Sequence, residues 1–149
     1  MKLSGNHDKL ISELKDKIYP WRKYLIAVDG ITGSGKSGLS RYMAWQLDMP
    51  AIETDMLRVM DDEQPSYRLE ELGNLIQARH ELDRPAIVEG IFLLDTLKKL
   101  GIEPDYLVYV KNEEANPGYA LRNSLPEYLE TYKPEKKADY VFSTDFKNM

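Results

Sequence analysis

The stretch from Tyr24 to Ser40, YLIAVDGITGSGKSGLS, decides how the rest of this sequence is read. It passes from an unbroken apolar run into glycine, serine and lysine, and then into residues with helical spacing. Leu25 to Val28 does not alternate between apolar and polar positions, which is the pattern of a strand buried on both faces and so of a parallel sheet. The next eight residues, Gly30 to Ser37, fit the phosphate-binding pattern G-x-x-x-x-G-K-[ST] at every fixed position. Roughly one chain in two hundred of this length would carry that pattern by chance, and fewer would carry it between a buried strand and a helix.

The composition has a physical reason. Glycines let successive backbone N–H groups turn toward one point, and the helix that follows adds unpaired N–H donors and the positive end of its dipole. A polyphosphate finds a nest there, built from Gly30, Thr32, Gly33, Ser34, Gly35, Lys36, Ser37 and Gly38. Lys36 brings a mobile full charge to the β- and γ-phosphates, and the Ser37 hydroxyl is an oxygen ligand suited to Mg²⁺. A nucleoside triphosphate with Mg²⁺ is therefore expected, and the lack of a guanine-reading motif favours ATP over GTP as the cofactor.

Working outward, the periodicity predicts an amphipathic helix over Asp8 to Ile18, a helix through Leu39 and Leu47, and a short strand at Ala51-Ile52 that runs into Thr54-Asp55. Strand, glycine loop, helix and strand make one βαβ unit. Ser66, Leu69, Leu72, Leu75, Ile76 and Leu82 predict another helical face. A buried strand, Ala86 to Val88, follows and ends at Glu89-Gly90. Asp95 is expected to cap a short helix stopped by Gly101, and Tyr106 to Val110 reads as a fourth strand. Ser124-Leu125-Pro126-Glu127 has the form of a capping box for a helix through Tyr132, closed by Lys133-Pro134, before a last strand at Asp139 to Phe142. Strands alternating with helices give an α/β fold with a parallel sheet, and the 149 residues read as one domain. Within it, residues 1–23 supply a first helix and the approach to the sheet, and residues 112–133 a lid and the helix after it. Most of the tyrosines are expected in the core and sheet, with Trp21 and Trp45 as packing anchors.

Composition excludes several classes of function. Without cysteine, disulfides, thiolate metal sites and thiol nucleophiles are ruled out. A formal charge of −5 opposes a nucleic-acid partner. No signal peptide and no apolar run long enough for a membrane span occur, so a cytoplasmic protein is expected. A guanine-reading [NT]-K-x-D motif, an L-S-G-G-Q stretch and an Asp-Glu pair after the third strand are all missing. That argues against G proteins, transporter ATPases and AAA-type motors.

The chain resembles the uridine kinase and nucleoside kinase-like branch of the P-loop kinases. The resemblance is carried by IAVDGITGSGKS (Ile26 to Ser37), ETDML (Glu53 to Leu57), IVEGIFLL (Ile87 to Leu94) and KPEKKADYVF (Lys133 to Phe142). It implies a three-layer fold with five parallel strands and a short helical lid, and ATP-dependent phosphoryl transfer to a hydroxyl of a small molecule, a nucleoside first. It makes Asp55 the carboxylate that orients or deprotonates the acceptor and a ligand near Mg²⁺, Glu89 a ligand of Mg²⁺ or its water, and Arg122 the lid arginine. Capping a helix is the other role open to Asp55 and Glu89, and a solvated surface side chain the other role open to Arg122. Arg58, one helical turn after Asp55, is the preferred contact to the acceptor. The segment between the second and third strands is shorter than in uridine kinases, and only one arginine follows Arg84. An ATP-binding regulatory protein without an acceptor reaction is therefore the second reading. Self-association is compatible with both.

Overall fold

The computed structural model describes residues 2–59, 65–115 and 124–144. Among these, five strands form one wholly parallel sheet: β1 (Leu25–Gly30), β2 (Ala51–Glu53), β3 (Ala86–Gly90), β4 (Tyr106–Lys111) and β5 (Tyr140–Ser143), in the order β2-β3-β1-β4-β5. The apolar run that opened the sequence is thus the central strand, buried at every position. Alternation sends its side chains to two separate cores. Ile26 and Val28 pack beneath α1 (Gly5–Ile18) and α2 (Lys36–Leu47), with Leu10, Leu14, Met43 and Leu47. Leu25 and Ala27 face α3 (Leu69–His80) and α4 (Leu93–Lys99), with Leu72, Ile76 and Leu97. Two helices on each face of a parallel sheet make the expected three layers. Helices α5 (Ser124–Tyr132) and α6 (Pro134–Lys137) precede β5.

Several boundaries differ from the sequence expectation. Helix α1 starts three residues early because Ser4 and His7 cap it: the Ser4 N–H donates to His7 Nδ1 at 3.0 Å, and the His7 N–H donates to the Ser4 carbonyl at 3.1 Å. Helix α3 starts at Leu69 instead of Ser66, since Ser66 and Tyr67 are drawn into an antiparallel pairing with Arg58 and Val59. Leu75 and Leu82, expected on its buried face, are exposed, and Leu72 and Ile76 alone reach the core. Asp95 does not cap α4. Phe92 occupies the cap position with a left-handed φ of 50°, and Asp95 sits in the first turn, bound by the Tyr132 hydroxyl at 2.7 Å and by Lys99 at 3.0 Å.

Lys133-Pro134 closes α5 after Tyr132, as expected, and also opens a short further helix that the sequence reading lacked: Lys133 turns left-handed and Pro134 starts α6, a position where its missing N–H costs nothing. Trp45 lies outward on α2, 73% exposed, and is no packing anchor. Trp21 is one: the Arg79 and Arg84 guanidinium groups both lie 5.6 Å from its ring centroid. Tyr42, Tyr67, Tyr106, Tyr109 and Tyr128 are buried, in line with the expectation for tyrosine. The lid expectation and Arg122 fall largely on residues 116–123, outside the described residues.

Candidate functional site

In an open parallel sheet ligands bind beyond the carboxyl ends of the strands, and here β1, β2 and β3 bring their last residues to one such edge. Strand β1 runs through Asp29 and Gly30 into the glycine loop. Gly33 and Gly35 adopt positive φ values of 78° and 97°, which a residue with a Cβ reaches only with strain. Gly35 takes the N-cap position, so α2 begins at Lys36 with no side chain bonded to its first N–H groups. Those donors stay available to an anion. Ser34 is fully buried beneath the loop, its hydroxyl without a hydrogen-bond partner.

Lys36, although charged, is 93% buried, since only 7% of it is exposed. Its charge favours the ionised form of two buried carboxylates, Asp29 and Glu89. Glu89 closes β3, and its Oε1 accepts from the Ser37 hydroxyl at 3.1 Å. Burial raises its pKa; Lys36 and the Ser37 bond oppose that, and the nearby carboxylates Asp55 and Glu53 reinforce it. The second oxygen, Oε2, is buried with no partner. A buried carboxylate oxygen without a donor is costly, and a cation or its water would relieve that cost. The donor set fits Mg²⁺, which prefers oxygen ligands and binds through one or two protein groups plus substrate phosphates and water. Among the described residues no group of three or more His, Cys, Asp or Glu converges, so a metal here would depend on the bound phosphates.

Strand β2 ends in Glu53, held by Arg41 at 2.6 Å, and passes into a 3₁₀ turn over Thr54 to Leu57. Thr54 is buried against the backbone of Gly90, where any Cβ would collide with its hydroxyl. This contact sets β2's end close to Glu89 and leaves Asp55 exposed at the rim of the crevice. The turn stops at Leu57, so Arg58 is not on a helical face with Asp55 as the sequence suggested. It is extended and pairs with Tyr67 across the antiparallel bridge, flanked by Val59 N–H to Ser66 carbonyl (2.9 Å) and Arg68 N–H to Leu57 carbonyl (2.8 Å). Residues 60–64, including Asp61 and Asp62, lie outside the described residues.

Two residues of the site escaped the sequence reading. Asp29 is 1% exposed; its Oδ1 accepts from the Gly30 N–H at 2.9 Å and its Oδ2 from the Tyr128 hydroxyl at 2.5 Å. Tyr128 also accepts from the Leu94 N–H at 3.1 Å, so one side chain ties α5 to the base of the glycine loop and to the start of α4. Burial pushes the Asp29 carboxyl up to about 6 and the Tyr128 hydroxyl far above its usual range. A charged residue inside an otherwise apolar strand was a signal for Asp29. Nothing local marked Tyr128, 99 positions away.

No protein-family model matches the chain, and no curated protein matches it by sequence. Solved structures do. One is named a "possible uridine kinase", from Bacillus stearothermophilus: 19% identical, TM-score 0.66, covering 92% of this chain and 97% of that one. A sugar kinase from a Janibacter species is 16% identical at TM-score 0.53, covering 85% and 87%. A gluconokinase from Sinorhizobium meliloti is 21% identical at TM-score 0.51, covering 84% and 83%. The fold is that of the P-loop kinases. At these identities the likeness is one of backbone; in this chain the glycine loop follows the central strand β1 and leads into α2. Among the described residues no helix is long and apolar enough to cross a membrane.

Proposed function

We propose that the protein is an ATP-dependent kinase that transfers the γ-phosphoryl group to a hydroxyl of a small molecule, with a nucleoside as the first acceptor to test. The observation that carries this reading is the pairing of Ser37 with Glu89 beside the buried Lys36, at the edge where Asp55 also lies. Sugar, glucono- and uridine-kinase structures share the backbone and add support for the reaction class, though not for the choice of acceptor. The work is assigned to a cytoplasmic enzyme acting on soluble substrates.

The loop N–H groups and Lys36 hold the β- and γ-phosphates and oppose the charge that grows on the leaving oxygen. Ser37 and Glu89 would hold Mg²⁺, which when bound neutralises phosphate charge. Asp55 orients the acceptor hydroxyl and takes its proton as the oxygen bonds to the γ-phosphorus and the bond to the β-phosphate oxygen breaks, releasing ADP. Arg58 borders the acceptor, and Arg122 supplies a further cation to the transferring group.

ADP release measured across a panel of nucleosides, sugars and vitamins tests the reading. Acceptor-dependent release supports it, and tight ATP binding with no stimulation by any acceptor supports the regulatory alternative. With the right acceptor, Asp55→Asn should leave the affinity for ATP intact and lower turnover roughly 10²- to 10⁴-fold. Unchanged turnover removes Asp55 from the mechanism.

A further inference from the structure

Helix α5 meets the glycine loop across an incompletely filled seam. A cavity of about 10 Å³ lies there, lined among others by Gly30, Thr32, Ile91, Leu125 and Leu129. That is the lower limit for a single water, and such a gap leaves the apolar side chains around it short of contact atoms. Across this seam the Tyr128 hydroxyl donates to Asp29 Oδ2 at 2.5 Å. A hydrogen bond to a carboxylate is roughly twice as strong as a neutral one, so it attaches the helix firmly to the loop.

Stability does not account for this pair. Burying a carboxylate in an otherwise apolar strand costs the fold free energy, and replacing both partners of a buried polar pair by apolar groups is often neutral. The Tyr128 ring is held without its hydroxyl as well, edge-on to Phe92 and tilted against Tyr132, with centroids 5.1 Å away in each case. A phenylalanine would keep those contacts.

What the pair fixes is the direction of the chain. Asp29 Oδ1 accepts from the Gly30 N–H at 2.9 Å and so holds the peptide at the point where the chain leaves β1. Gly30 fills a slot too narrow for a Cβ, which would stand 2.8 Å from both the Ser34 hydroxyl and the Val110 carbonyl oxygen. The Ser34 N–H then donates to the Ile31 carbonyl at 3.1 Å, and Gly35 and Lys36 follow directly. A tilt at Asp29 would therefore pass along the loop to the head of α2. Tyr128 also accepts from the Leu94 N–H at 3.1 Å, in the first turn of the helix that follows Glu89. One hydroxyl thus joins the loop that carries Lys36 and Ser37 to the segment behind Glu89.

We propose that Tyr128 is a positioning residue for phosphate binding, acting through Asp29 to hold the glycine loop at one spacing from Glu89, and that α5 is thereby coupled to the phosphate site. A misplacement of about 1 Å at a reacting site can cost roughly 10²-fold, so a firm support beneath the loop has a functional return. The coupling is reciprocal: an anion that steadies the loop also steadies α5. The inference rests on the triphosphate reading above.

Mg·tripolyphosphate and Mg·ATP are titrated calorimetrically into the wild type and its variants, with a melting temperature measured for each protein. Tyr128→Phe should weaken both ligands about tenfold and by the same factor, since the loop and not the nucleoside is affected. In an Asp29→Ala background, where the acceptor is gone, the same substitution should change affinity less than twofold. Leu129→Ala loosens the seam without touching the pair, and should lower the melting temperature while leaving both affinities within twofold. A Tyr128→Phe affinity within twofold of wild type, additive losses in the double variant, or an equal loss in Leu129→Ala overturns the proposal and leaves the phosphate loop in place. Hydrogen exchange decides the matter should a variant fail to fold: in the wild type, saturating Mg·tripolyphosphate should slow amide exchange in α5 at least threefold more than in α3. Equal slowing in the two helices overturns the coupling. Absence of heat with both ligands in the wild type overturns the triphosphate reading and this inference together.

Discussion

Asp29 should make the protein less stable as the pH rises. Its carboxyl is fully buried at the base of the phosphate loop, and desolvation lifts it from 3.8 to about 6 even though Tyr128, Gly30, Leu93 and Lys36 all favour the ionised form. An acid held above its unfolded pKa binds more protons in the fold, so its contribution to stability is fully present below the unfolded value. That contribution is lost as the pH climbs through the folded one. A shift of about two units corresponds to roughly 3 kcal/mol, of which about 2 kcal/mol should vanish between pH 4.5 and 7.5. Asp29→Asn removes the titration while keeping the shape, although an amide cannot accept from both Gly30 and Tyr128. Urea midpoints measured for both proteins across this range give stabilities at each pH, and subtracting the variant cancels all other titrating groups. The wild type should lose about 2 kcal/mol relative to Asp29→Asn from pH 4.5 to 7.5. A difference that stays flat to within about 0.5 kcal/mol, or that grows with pH, refutes the claim that burial dominates at this carboxyl.

Two further outcomes follow from the crevice. Glu89→Gln keeps an acceptor for the Ser37 hydroxyl but removes the charge from the unpartnered Oε2, so the Mg²⁺ concentration for half-maximal turnover should rise about 10- to 100-fold. An unchanged Mg²⁺ titration would take Glu89 away from the metal. Gly90→Ala drives a methyl into the Thr54 hydroxyl and backbone-linked Cβ, with no flexible chain to swing aside. Thermal or urea unfolding should register a loss of about 1–3 kcal/mol, and a neutral result would mean that β2 is free to move away from β3.

The glycine loop, the parallel sheet and the order of strands and helices were legible in the sequence because each depends on local chemistry. An unbroken apolar run implies burial on both faces, and glycines followed by lysine and serine imply a backbone folded around an anion. Glu89 and Asp55 were legible through their place after strands in motifs of a known type. Helix starts were not, because side-chain and backbone partners set them and apolar spacing does not register those. His7 extends α1 through a local bond to Ser4, and Ser66 and Tyr67 leave the helical register because Arg58 and Val59 pair with them. Leu75, Leu82 and Trp45 carry apolar side chains at helical spacing, but whether such a side chain is covered depends on a neighbouring element, and none reaches them fully.

By itself the sequence determined that a buried strand would pass through a glycine loop into the head of a helix, since the conformations of glycine and the orientation of helix N–H groups belong to the segment itself. Tertiary structure alone decided what surrounds that loop. Tyr128 reaches Asp29 across 99 positions, Glu89 meets Ser37 across 52, and the first residues of the chain wall a cleft beside the end of β5. Such meetings follow from the strand order β2-β3-β1-β4-β5, which sets residues remote in the chain side by side, and no local propensity encodes it.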